Sequence, residues 1–144
     1  MLKIFKENET IKTKLNEGAN TVTLTNITAT DTTQRVTKDN NLIVIPEHYT
    51  LTVENDTQRE TFNIYTGEYS TREEKLMRFL LGIQEQKPCD IVNANEYLEH
   101  VITNKVTFTL VKMPFEVVDN GNVTTRYTYR TASQELLDLL MSED

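Results

Sequence analysis

The side chains in this sequence best suited to chemistry are basic and aromatic residues interleaved along segments that read as strands. In Arg126-Tyr127-Thr128-Tyr129-Arg130 a period of two puts both arginines on one face and both tyrosines on the other. Tyr65 points opposite Phe62 and Ile64, away from the expected core, and Tyr69 follows it closely. Arg35 and Lys38 sit in a polar stretch expected to be a long hairpin loop, and Lys105 leads into a strand beginning at Val106. Stacking on an aromatic is worth about 1–3 kcal/mol per base, and nearby Lys or Arg neutralises phosphate. The combination suits single-stranded nucleic acid bound with little sequence preference. Tyr127 and Tyr129 also share phase with Val123, so a core role stands beside the stacking role for these two.

Other chemistries find less support. His48 and His100 lie on different elements, and neither has a partner at metal-ligand spacing. Cys89 is the only cysteine, so no internal disulfide can form. There is no Gly-rich phosphate loop and no nucleophile elbow. Glu73 and Glu74 are better explained as carboxylates at a helix start. The expectation is a non-catalytic protein with no metal site and no cofactor.

The elements that would position these residues are readable in outline. Ser70 and Thr71, each followed three residues on by Glu73 or Glu74, start a helix carrying Leu76, Phe79, Leu80 and Ile83 at helical spacing. Asn93, with Glu96 three residues on, caps a second helix. Thr21–Thr25 alternates cleanly, then slips phase at Asn26, the mark of a β-bulge. Leu42 to Ile45 is an apolar run broken by Pro46, after which Tyr49, Leu51 and Val53 alternate, and Thr61–Tyr65 closes a three-stranded meander. Pro114 is expected to kink the strand after Val106 or to mark it as an edge. Asn120-Gly121 is the strongest hairpin turn in the chain.

Three strands, a helix and two strands make the order of a mostly β, five-stranded OB-fold-like Greek-key barrel, with the helix between strands three and four. Residues 1–16 read as an N-terminal arm or edge segment, 17–131 as the barrel domain, and 132–144 as an acidic, leucine-rich C-terminal helix and tail capped by Ser133. Its Leu136, Leu137 and Leu140 can pack on the barrel or serve as a recruitment peptide.

The formal charge is −7, which lowers the expectation of polyanion binding by the molecule as a whole. Glu135, Asp138, Glu143 and Asp144 crowd the last ten residues without a base, so the rest is closer to neutral and can carry a local basic groove. No apolar run approaches the roughly 18 residues of a membrane helix. Met1-Leu2-Lys3-Ile4-Phe5-Lys6 lacks the apolar core of a secretory signal. A cytoplasmic location and no membrane partner are expected.

The chain resembles a family of small OB-fold single-stranded-DNA-binding proteins encoded by phages of Gram-positive bacteria. The resemblance spans roughly residues 17–130. It rests on Glu17-Gly18, on Thr61-Phe62-Asn63-Ile64-Tyr65 leading into Glu74-Lys75-Leu76, and on the stretch from Leu98 to Lys105 feeding Val106-Thr107-Phe108. It implies coating of single-stranded DNA in phage replication or recombination, in the host cytoplasm. Partners would be single-stranded DNA and, through the C-terminal helix, replication or recombination proteins. Homo-oligomerisation stays open, because the flexible linker and acidic-aromatic tip of the familiar bacterial proteins are absent. The alternative is an acidic β-domain that binds or inhibits a host protein, or a small virion component, with no nucleic-acid role.

Overall fold

The computed structural model describes residues 11–131. The elements run β1 (Gly18–Thr30), β2 (Thr33–Val36), β3 (Leu42–Ile45), β4 (His48–Glu54), β5 (Arg59–Tyr65), α1 (Arg72–Gln86), α2 (Ala94–Thr103), β6 (Thr107–Asp119) and β7 (Asn122–Thr131). Five strands form one antiparallel sheet in the order β5-β4-β1-β6-β7, while β2 and β3 form a separate two-stranded ribbon. No helix among the described residues is long and apolar enough to cross a membrane.

Alternation along the strands builds the core. Val22, Leu24, Leu51, Val53, Phe62, Phe108 and Leu110 point inward and are buried. Leu76, Phe79, Leu80 and Ile83 of α1, with Tyr97 and Val101 of α2, cover them. Phe79 is the wedge, its ring 5.9 Å from Phe62 and 6.0 Å from Phe108. Both helices start where the capping residues predict. Thr71 accepts from the Glu74 N–H, and Asn93 from the Glu96 N–H, each at 3.1 Å and each worth about 1 kcal/mol. The bulge falls between Leu24 and Asn26, and after it Ile27 resumes the inward series opposite Leu51. Asn120 and Gly121 take φ of 51° and 83°, as a tight hairpin turn requires.

The expected closed barrel is not formed: no ladder joins the edge strands β5 and β7. Side chains tie the two edges instead. The Phe62 and Tyr129 rings stack at 4.3 Å and 13°, and the Tyr129 hydroxyl donates to Glu60. Glu60 also accepts from the Leu15 N–H and from Lys112 Nζ, both at 2.9 Å, and Lys112 donates to the Leu15 carbonyl at 3.0 Å. Glu60 and Lys112 are each only 5% exposed. Burial alone would raise the Glu60 carboxyl, but the bonds from Tyr129, Lys112 and the Leu15 amide outweigh it and hold it below its usual value. Burial and the bond to Glu60 push the Tyr129 phenol up.

Other expectations are corrected. The stretch expected as a polar loop contains β2, which pairs with β3; the run from Leu42 and the strand from His48 therefore belong to different sheets. Of the two expectations for Pro114, the edge position holds: β1 reaches only Lys112, so beyond it β6 is paired on one side, and the strand runs on with β7 from Leu110 to Asp119. Within the segment read as an N-terminal arm or edge segment, Thr13 bridges Gln58 in parallel and accepts from the Arg59 N–H at 2.8 Å, so this part lies along the edge strand β5. Residues 1–10, and the C-terminal helix and tail at 132–144 with their Ser133 cap, lie outside the described residues.

Candidate nucleic-acid interface

Strand phase defines an outward face opposite the core. On β5 and β4 it carries Arg59, Thr61, Asn63 and Tyr65 beside Glu54, Thr52, Thr50 and His48. β1 adds Thr21, Thr23, Asn26, Thr28 and Thr30, and β6 and β7 add Val111, Met113 and Phe115 beside Arg130, Thr128 and Arg126. The middle of this face is uncharged and hydroxyl-rich. Thr50 donates to Asn63 at 2.7 Å, Thr52 and Thr61 hydroxyls meet at 3.1 Å, and Asn63 donates to the Tyr65 hydroxyl at 2.9 Å.

Two clusters flank that middle. At one end the exposed Tyr65 ring lies 4.8 Å from the His48 ring, and Lys75 fastens the Tyr65 carbonyl at 2.8 Å. Tyr69 stands almost wholly in solvent in the loop that follows. Arg35 and Lys38 belong to the ribbon that leaves the sheet between Thr30 and His48. Arg72 pins its base, donating to the Thr30 and His48 carbonyls at 2.9 and 3.0 Å while its guanidinium covers the Tyr49 ring at 4.6 Å. Tyr65, Tyr69, Arg35 and Lys38 are thus associated with one end of the sheet.

The other cluster lies on β6 and β7. Arg126 stands opposite Phe115 and Arg130 opposite Val111, with Met113 between. Phe115 and Met113 are each 42% exposed, a basic and apolar patch at the base of a ribbon that projects past Lys112. Tyr127 and Tyr129 take the inward face. Tyr129 closes the sheet as described, and Tyr127 lays its ring over Lys112 Nζ at 4.3 Å with its hydroxyl donating to Glu17 at 3.3 Å. The core reading therefore holds for Tyr129, while Tyr127 shields the buried lysine.

Lys105 joins neither cluster. It follows α2 with φ of 49° and lines a cleft of about 570 Å³ beside the β1 bulge, together with Lys12, Glu54, Asn55 and Asp56. Glu54 is committed there: Lys12 at 2.8 Å and Arg59 at 3.1 Å bond it, and the Lys12 bond is the main cause that lowers its carboxyl to about 2.

Two residues escaped the sequence reading. His48 carries no local signal beyond the chemistry of a metal ligand, and its place beside Tyr65 follows from the β4–β5 register. Phe115 shares phase with Thr107 and Thr109, a signal that a strand running unbroken through Pro114 would have exposed. Among the described residues no group of three or more His, Cys, Asp and Glu is placed to hold a metal ion.

On the outward face of the five-stranded sheet the only acids among the described residues are Glu54, already paired with Lys12 and Arg59, and Asp119 at a hairpin tip, against Arg126 and Arg130. Compared with models of known protein families and with curated proteins, the chain matches none.

Proposed function

We propose that this chain is a non-catalytic protein that binds single-stranded DNA with little sequence preference, as an OB-type domain in phage replication or recombination. One observation carries the reading: in a chain of net charge −7, the outward sheet face holds exposed aromatics and arginines and, among the described residues, no acid outside an ion pair except Asp119 at a hairpin tip. Bases would stack on Tyr65 and Phe115, with Tyr69 beside the first; Arg126 and Arg130 would take phosphates next to the second. The hydroxyl and amide groups between them can donate to or accept from any base edge, which suits tolerance of sequence. If the β2–β3 ribbon is an elaboration of the first loop, the remaining strands and helices follow the OB order, helices between the third and fourth strands.

Fluorescence anisotropy with labelled oligo-dT and the matching duplex, each at low and moderate salt, tests the reading. The expected result is binding to the single strand alone, weakening as salt rises. Absence of binding at low salt overturns it and turns attention to a protein partner, the role that the acidic charge favours.

A further inference from the structure

The two ends of the outward face differ in where positive charge comes from. Beside Phe115 stand Arg126 and Arg130, which keep their charge at every ordinary pH. Beside Tyr65 the nearby bases are already engaged. Arg72 donates to the Thr30 and His48 carbonyls, pairs with Glu73 at 2.8 Å, and lies 3.8 and 3.9 Å from Glu47 and Asp31. Lys75 holds the Tyr65 carbonyl, and Arg78 donates to the Ser70 hydroxyl at 2.7 Å. The loop after Tyr65 carries Glu68, and the ribbon beyond Thr33 carries Arg35 and Lys38 with Asp39 beside them. These acids and bases offset one another, so charge gained here by a further side chain is a net gain.

His48 is the side chain placed to supply it. Half-buried, it stands opposite Thr30 of β1 on one side and Tyr65 of β5 on the other, its ring 4.8 Å from the Tyr65 ring. Its Nδ1 lies 2.9 Å from the Pro46 carbonyl oxygen. A carbonyl can only accept, so Nδ1 carries the hydrogen and Nε2 keeps the free lone pair. Protonation therefore adds its N–H at Nε2 and leaves the bond that orients the ring intact. Imidazole is the one side chain whose ordinary titration falls between pH 5 and 8. We propose that His48 is a binding residue of the Tyr65 end: as imidazolium it donates through Nε2 to a phosphate of the strand whose base stacks on Tyr65. The inference rests on the single-strand reading of this face and adds a pH dependence that the reading does not require. The other histidine, His100, sits on α2, where its Nδ1 bonds the Asn104 amide at 2.8 Å, and serves as an internal control.

Affinity of the full chain for labelled oligo-dT, measured from about pH 8 to about pH 6 at two salt concentrations, tests it. Thymine and phosphodiesters do not titrate in that range. Affinity is expected to rise about two- to fivefold as pH falls, the size of one exposed charge pair. The slope of log affinity against log salt steepens by about 0.7, one phosphate on a single strand. His48→Asn, whose amide can still donate to the Pro46 carbonyl, loses both changes, whereas His100→Asn keeps them. Linkage gives a second readout on the wild type: saturating oligo-dT moves the His48 titration upward in NMR and leaves that of His100 in place. Equal affinity at the two pH values, a rise that survives in His48→Asn, or a His48 titration unmoved by the strand overturns this inference and leaves the single-strand reading standing. Absence of binding at either pH in low salt overturns that reading, and this inference with it.

Discussion

Strand β7 carries two regions with opposite demands, separated by a single residue of phase. Tyr127 and Tyr129 face inward, where Tyr129 stacks on Phe62 and bonds a buried glutamate, while Arg126 and Arg130 face water beside Phe115. Inside, the buried charges are tolerated because they are paired: Glu60 has Leu15, Lys112 and Tyr129 around it. Outside, neither arginine forms an ion pair with another described residue, which leaves both able to meet an anion. The same residue types thus serve structure on one face and availability on the other, and the pleat alone decides which.

The largest effect is expected inside. Lys112→Met leaves the Glu60 carboxylate buried without its cation, which costs about 3–5 kcal/mol when one partner of such a pair is removed. Urea unfolding should show it; a midpoint near wild type would mean that the gap between β5 and β7 does not depend on this pair. Restoring neutrality with Glu60→Gln in the same chain should recover part of the loss.

Phe115→Ala tests the outward face. If Phe115 stacks a base, affinity for oligo-dT falls by about 1–3 kcal/mol while Tm stays close to wild type, since the ring is already partly in water. The matching Tyr65→Ala change asks which end of the face dominates. Neutralising Arg126 and Arg130 together has a subtler signature: the slope of log affinity against log salt becomes shallower by about 1.4, at roughly 0.7 per phosphate on a single strand. An unchanged slope removes both from the interface.

The smallest effect concerns the solvent-screened cluster at Glu54. Its carboxyl is depressed to about 2 from an ordinary 4.5, so its contribution is fully present above pH 4.5 and disappears as pH falls toward 2. A partly exposed pair of this kind is worth about 1 kcal/mol or less. Lys12→Ala should flatten the acid dependence of Tm in that window, and an identical pH profile would show that the pair contributes nothing.

What was legible in the sequence is what neighbours along the chain settle between themselves. Thr71 and Asn93 cap helices through residues three positions away, Asn120-Gly121 turns because glycine and asparagine accept positive φ, and the slip at Asn26 marked the bulge. The two faces of Arg126–Arg130 were legible for the same reason, since alternation is a property of the strand itself. What the two faces touch was not. Leu15, Glu60 and Lys112 are 45, 52 and 97 positions apart pairwise, and no local pattern predicts that they meet in the gap between two edge strands. Nor does the stretch from Thr33 to Ile45 announce that it pairs with itself and leaves the sheet. Those outcomes depend on which strands lie side by side, a choice made by burial summed over the whole core, and only the tertiary structure decides it.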